Sequence, residues 1–271
     1  MTAIANALTI AGSDSGGGAG IQADIKAMSA NGVYAASVIT ALTAQNTLGV
    51  TVIHDVPADF IAAQTDAVFK DIKFGAVKIG MLSRVETIRA VADGLRRYRA
   101  RNVVVDPVMV AASGDPLLRD DAVEALKSEL FPLATLVTPN LHEAARLTGL
   151  PVADSRDEMR AQAKQIAGQT KLAVLVKGGH GSGDESEDLL WRAGREQWFA
   201  APRIATKNTH GTGCSLSSAI AAHLARGASL PDAVKRAKHW LTGAIGAADE
   251  LSVGKGRGPV HHFHELWPHE S

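Results

Sequence analysis

Short apolar runs recur along the chain, each closing on a glycine or a polar residue. ALTIAG (7–12), VYAASVITALTAQN (33–46), AVKIG (76–80), NVVVDP (102–107), TLVTPN (135–140) and LAVLVKGG (172–179) form the series. Their continuous hydrophobicity and β-branched content predict strands buried on both faces of a parallel sheet. Between them the period becomes helical. Over 57–70, PADFIAAQTDAVFK places Phe60, Ile61, Ala67 and Val68 near one face and leaves Asp59, Asp66 and Lys70 for solvent, with Pro57 suited to the first turn. Similar patterns fill 84–99, 119–130 and 155–169. Strand and helix therefore alternate, which predicts α/β architecture with a mostly parallel sheet.

Two segments depart from the alternation. DLLWRAGREQWFAAP (188–202) reads as two strands around an Ala-Gly turn, an antiparallel hairpin at the sheet edge. The last third is mainly helical, from Cys214 to Arg226 and from Leu230 to about Leu251, while GSGDESED (181–188) reads as a mobile loop. No repeat or linker divides the chain, so one domain over 1–271 is expected.

Composition narrows the possibilities. With 46% hydrophobic residues in 271, the chain can fill a sizeable core, and 28 basic against 28 acidic residues give no field for nucleic acid or an anionic membrane surface. The N-terminal apolar run is too short for a signal peptide or a membrane span. One cysteine excludes an internal disulfide and a multi-cysteine metal site, and fits a reducing compartment, the cytoplasm by default.

In an open parallel sheet, ligands bind beyond the carboxyl ends of the strands. The apolar runs end in or near Asp14, Gln45, Met81, Asp106, Asn140 and Lys177, so one cleft could gather these residues. Each also has a plainer reading, Asp14 as a turn former, Asn140 as a helix cap and Lys177 as a solvated strand end. The turn GSDSGGGAGIQAD (12–24) allows close backbone approach to a ligand. It is not a dinucleotide fingerprint: Ile21 stands where the third glycine belongs, and 33–50 contain no acidic residue. A Walker-type phosphate loop is absent as well.

Gly211-Thr212-Gly213 enters an alanine-rich helix that stops at Gly227. Free amides at a helix N-terminus favour an anion, and glycine lets a phosphate reach the backbone. The plainer reading is a tight turn. Cys214 then falls in the first helical turn, a placement expected to lower a thiol's pKa unless the residue is simply buried and inert. In TPNLHEA (138–144), Asn140 and Glu143 are three apart at a strand-to-helix junction. They are either a helix cap with a first-turn acid or part of a hydrated Mg²⁺ site completed by substrate phosphates. The tail histidines of HHF-H (261–264) and His269 read as surface residues rather than metal ligands.

The whole chain resembles the hydroxymethylpyrimidine/phosphomethylpyrimidine kinases of thiamine biosynthesis, within the ribokinase-like superfamily. The resemblance runs nearly end to end through ALTIAGSDSGGGAGIQAD, VITALTAQNT, KIGML, DPVM, SGDPLL, TPNLHEA, VLVKGGH, TKNTHGTGCSLSSAIA and GKGRGPVHHFH. After Asp14 this chain reads Ser-Gly-Gly-Gly-Ala-Gly where the family more often has Pro-Ser-Gly-Gly-Ala-Gly, which touches only fine contacts to substrate.

The resemblance implies a ribokinase-like fold, a central mostly parallel sheet flanked by helices on both faces with an antiparallel edge hairpin. It implies ATP-dependent phosphorylation of 4-amino-5-hydroxymethyl-2-methylpyrimidine and then of its monophosphate, in a homodimer without nucleic-acid or membrane partners. Gln45 and Asp14 would contact the pyrimidine in a pocket lined by Gly12, Ala19, Met81 and Val108. Lys177, Asn140, Thr209 and Thr212 would serve ATP, and Asp106 and Glu143 would serve Mg²⁺. Gly211 to Gly213 would form the anion hole, with Cys214 where sugar kinases of the fold carry an aspartate base. The competing expectations are a pyridoxal or pyridoxine kinase of the same fold, and a catalytically silent pyrimidine- or nucleotide-binding regulator.

Overall fold

In the computed structural model, described for residues 3–109, 120–168, 172–179 and 183–267, the apolar runs become strands of one eight-stranded sheet. In chain order the elements are β1 (Asn6–Ala11), α1 (Gly20–Ala30), β2 (Tyr34–Ile39), β3 (Ala41–Asn46), β4 (Gly49–Asp55), α2 (Ala58–Asp71), β5 (Ala76–Ile79), α3 (Val85–Arg97) and β6 (Val103–Val105). There follow α4 (Asp120–Ala125), which runs on through a π turn over Leu126–Leu130, then β7 (Leu136–Val137), α5 (Leu141–Thr148), α6 (Arg156–Ala167) and β8 (Ala173–Val176). The chain closes with β9 (Glu185–Arg192), β10 (Arg195–Pro202), α7 (Thr212–Ala225) and α8 (Leu230–Gly246). SGDPLL at 113–118, the start of the 119–130 helix, His180 and His269 lie outside the described residues.

The strand order is β10-β9-β8-β7-β6-β5-β1-β2, parallel from β8 to β2, with β9 and β10 antiparallel at the edge as the hairpin pattern predicts. Every residue of β5, β6, β7 and β8 is buried, which is why these strands read as unbroken apolar runs. Period-two alternation assigns their side chains to two cores. Leu8, Ile10, Val77, Ile79, Val105, Val137 and Val176 pack with Ile61 of α2, Ile88, Val91 and Leu95 of α3 and Leu141 of α5. Ala7, Ala76, Val104, Leu136 and Leu175 pack on the other face with Ala27 and Met28 of α1, Ile220 of α7 and Trp240 of α8. Alanines dominate α7 where it meets the sheet, so its backbone lies close to the strands.

Two predicted elements differ. The run 33–46 is not one strand: after β2 the chain turns out at Thr40, which donates from Oγ1 to the Met81 carbonyl at 2.9 Å. β3 then pairs antiparallel with β4, for which no strand was expected, in a separate two-stranded ribbon. Leu42, Val52 and Ile53 of this ribbon are exposed, so it lacks the buried signature of the sheet strands. The expected mobile loop also shortens, because Glu185–Asp188 belong to β9. Among the described residues no helix is long and apolar enough to cross a membrane.

Candidate active site

The chain runs from β1 to β2 on one side of the sheet and later returns to β5 on the other, so the connections diverge beside β1. Crevices form beyond the carboxyl ends of strands at such a switch point. A cleft of about 830 Å³ opens there, bordered by Gly12, Asp14, Ala19, Gln45, Met81, Asp106, Val108, Asn140, Glu143, Lys177, Thr209, Gly211, Thr212, Gly213 and Cys214. The structure thus brings all of the sequence-predicted site residues to one place.

At one end the glycine turn after β1 wraps Asp14, which is buried. Its carboxylate accepts from the backbone N–H of Gly16 at 2.8 Å, Gly18 at 3.1 Å and Ala19 at 2.8 Å, and a side-chain contact to His210 Nε2 spans 2.8 Å. Burial works against ionisation, but the hydrogen bond and charge of His210 and the amides of Ala19 and Gly16 outweigh it, holding Asp14 below the usual carboxylate range. With its oxygens engaged, Asp14 shapes the turn and ties it to the 209–213 loop. β3 is fastened to the same turn: Ser15 Oγ donates to the Gln45 carbonyl at 2.7 Å, and Thr43 Oγ1 donates to the Ser13 carbonyl at 2.9 Å. The Gln45 side chain faces the cleft beside His210, 3.5 Å from its Nε2.

The opposite end is charged. Lys177, just beyond β8, donates from Nζ to Asp106 Oδ1 at 2.7 Å and stands 4.0 Å from Glu143 Oε2. Thr138 Oγ1 donates to the same Asp106 oxygen at 3.0 Å. Burial raises the Asp106 pKa, yet Lys177 and then Lys78 overcome it and keep the group below its ordinary range. Glu143 goes the other way. Its burial, with the Asp106 charge adding to it, lifts it to about 7 despite Lys177. The helix-cap reading of this segment is the one seen: Asn140 and Glu143 form a capping box, with Glu143 N–H donating to Asn140 Oδ1 at 2.9 Å and Asn140 N–H donating to Glu143 Oε2 at 2.7 Å, and Glu143 also borders the cleft.

Between the two ends, α7 starts against the charged cluster. A β-carbon on Gly213 would sit 3.3 Å from Lys177 Nζ and 3.6 Å from Asp106 Oδ2, so the start of α7 lies against the lysine and its carboxylate partner. Gly211 has φ of 78°, and a β-carbon there would meet the Gly18 carbonyl oxygen at 1.8 Å, so glycine is needed for both reasons. Cys214 is half-buried in the first turn. The expected lowering of its pKa does not occur. Burial pushes the thiol up to about 11, with Lys78 pulling against it and Asp24 and Asp106 adding to the rise.

Several cleft residues escaped the sequence reading, among them Lys78, His210, Asp188 and Lys238. Lys78 left a visible signal, a lysine inside the apolar run AVKIG. Two of the tail histidines were misread as surface residues. His261 and His262 are buried, and Ser215 Oγ lies 2.9 Å from His262 Nε2. Burial first, then the Lys26 charge, lowers His262 to about 3, so it is neutral. Among the described residues no cluster of three or more His, Cys, Asp or Glu could hold a metal.

This sheet and cleft are those of a ribokinase-like ATP-dependent kinase, as similarity to known proteins shows. The sequence profile described as phosphomethylpyrimidine kinase matches residues 14–261. The hydroxymethylpyrimidine/phosphomethylpyrimidine kinase of Rhizobium meliloti is 61% identical over 267 residues, covering 98% of this chain and 99% of the relative. Its Escherichia coli counterpart is 53% identical over 262 residues, covering 97% and 98%. Among solved structures, Bacillus subtilis pyridoxal kinase in complex with ADP superposes with TM-score 0.88 at 34% identity, over 97% of this chain and 99% of that one. Phosphomethylpyrimidine kinase from Clostridium difficile gives 0.78 at 44%, over 89% and 99%. The chain belongs to the hydroxymethylpyrimidine/phosphomethylpyrimidine kinase family.

Proposed function

We propose that this kinase transfers the γ-phosphoryl group of ATP to the hydroxymethyl oxygen of 4-amino-5-hydroxymethyl-2-methylpyrimidine, and then phosphorylates the monophosphate, as a step of thiamine biosynthesis. The observation that carries the reading is the polarity of the cleft, with Gln45 and the apolar Met81 beside the glycine turn, the Lys177–Asp106–Glu143 cluster at the other end, and Val108 on its border. The pyrimidine sits at the Gln45 end, against Gly12, Ala19 and the Asp14 turn, with its alcohol toward α7. ATP phosphates lie along Lys177, Asn140, Thr209 and Thr212, and the first-turn amides of α7 receive the charge that develops on the transferred group.

Cys214 Sγ is the proton acceptor in its thiolate form, after its own proton has passed to solvent. The hydroxyl proton passes to sulfur as the oxygen–phosphorus bond forms, and the bond to ADP breaks with its electron pair leaving on ADP. Two neighbouring carboxylates, one of them destabilised in its charged form, suit a Mg²⁺ ion completed by phosphate oxygens and water rather than an all-protein cage. Asp106 and Glu143 would hold that ion, which when bound neutralises phosphate charge. A homodimer is part of the proposal, and the exposed Leu42, Val52 and Ile53 of the β3–β4 ribbon support it. So is a cytoplasmic location, in keeping with a free Cys214.

Structural similarity to pyridoxal kinases keeps one second reading in play, because pyridoxal also offers a hydroxymethyl group. ADP release measured in parallel on the pyrimidine alcohol, its monophosphate and pyridoxal separates the two. Turnover of both pyrimidines is expected; turnover of pyridoxal alone would install the second reading, and nucleotide binding without turnover would make the chain a regulator. In the same assay Cys214→Ala should lower kcat about 100-fold or more while ATP binding survives.

A further inference from the structure

Lys78 lies inside β5 between Val77 and Ile79, and its side chain is fully buried. A buried ammonium is costly unless it is paired and hydrogen-bonded. Asp24 of α1 provides both, its two carboxylate oxygens each accepting from Lys78 Nζ at 2.8 Å. The same carboxylate accepts from Thr9 Oγ1 at 2.6 Å and from Ser218 Oγ at 2.7 Å. The phosphoryl transfer described above gives this cluster no task, yet its place is specific. Ser218 follows Cys214 by four residues on α7 and therefore shares its helix face. Lys78 and Cys214 border the same cleft, and Lys78 Nζ lies 2.7 Å from where a β-carbon on Gly80 would stand, at the mouth of the β5 loop.

We propose that Lys78 is a positioning residue of the phosphoryl transfer, its ammonium held by Asp24 beside Cys214, where the positive charge favours the ionised sulfur. The inference rests on the reading of Cys214 as proton acceptor. The charged groups around the thiol are Lys78 from β5, Asp24 from α1, Asp106 beyond β6 and Lys177 beyond β8, while the Gly20 amide at the start of α1 also favours the thiolate. From α8, Lys238 borders the cleft and is neutralised by Asp188, and His262 of the tail approaches Ser215, the residue after Cys214.

The test is the rate at which iodoacetamide alkylates Cys214, the only cysteine, in the nucleotide-free full-length chain at pH 8, alongside kcat against pH with MgATP and the pyrimidine alcohol. Below the thiol pKa this rate follows the thiolate fraction. A nearby charge is worth about one pKa unit or more, so Lys78→Met should slow alkylation about tenfold or more. Asp24→Asn should quicken it by a similar factor, because it removes the opposing charge and leaves the ammonium. A merely structural role would move both variants the same way or neither, and either result overturns the proposal while leaving Cys214 as base. Should Lys78→Met fail to fold, the double variant Lys78→Met/Asp24→Asn is compared with Asp24→Asn alone; slower alkylation in the double variant supports the proposal and equal rates overturn it. The alkaline limb of kcat should move with the thiol. Opposite alkylation changes with an unmoved kcat profile would overturn the base reading, and with it the role of Lys78 in transfer.

Discussion

Gly211 shows how little latitude the cleft leaves to a single residue. Its positive φ and the 1.8 Å approach that a β-carbon would make to the Gly18 carbonyl mean that Gly211→Ala must push the 209–213 loop off the glycine turn. Strained backbone of this kind costs about 1–3 kcal/mol. The expected outcome is a lower Tm together with a more than tenfold loss of kcat/KM, since both substrate ends share that contact. Glu143 makes the opposite exchange of stability for function. Its folded pKa of about 7 lies above the ordinary 4.5, so the native protein binds this proton more tightly than the unfolded chain. The contribution to unfolding free energy is therefore full below pH 4.5 and is lost as pH rises to about 7. Glu143→Gln should raise Tm relative to the parent more at pH 8 than at pH 5 while kcat falls, and thermal scans at the two pH values check the sign. At this scale the sequence marked residues that end strands or open helices, because topology sends those to the cleft. It left Lys78 and His210 unassigned, because their partners Asp24 and Asp14 are 54 and 196 positions away.

Elements carry a second kind of constraint. Asp188 of β9 accepts from the Gly178 N–H at 2.9 Å and from Lys238 Nζ of α8 at 2.7 Å, and all three groups are poorly accessible to water. This pair joins the edge hairpin to α8 and fixes the backbone immediately after Lys177. Removing one partner of a buried pair costs about 3–5 kcal/mol. Lys238→Met should therefore lower the urea midpoint and raise KM for ATP, because Gly178 and Lys177 lose their anchor; an unchanged KM would confine the pair to stability. Elements buried on both faces were plain in the sequence, as were the edge hairpin and the two last helices. The β3–β4 ribbon was not, since Val52 and Ile53 spend their hydrophobicity on an exposed surface and so give no sheet-core pattern. The thiol pKa was misjudged for a related reason: helix position is visible in the sequence, whereas the burial that outweighs it comes from α1 and β5 packing over the first turn of α7.

For the whole molecule, charge balance and sheet topology decide what kind of partner the cleft can take. A chain with equal numbers of acidic and basic residues gathers Asp106, Lys177 and Glu143 beyond the carboxyl ends of β6 to β8, where Asp106 and Lys177 face the start of α7. Pyridoxal kinases share this frame, so the fold alone does not choose the alcohol. The family does, and the proposed sequence of two transfers makes a demand that no single-step kinase meets. Phosphorus NMR of the enzyme with MgATP and 4-amino-5-hydroxymethyl-2-methylpyrimidine follows both steps in one sample. A monoester signal is expected to rise and then give way to a diphosphate pair, with ADP formed twice per pyrimidine. A monoester that accumulates without conversion, or no product except from pyridoxal, would contradict it.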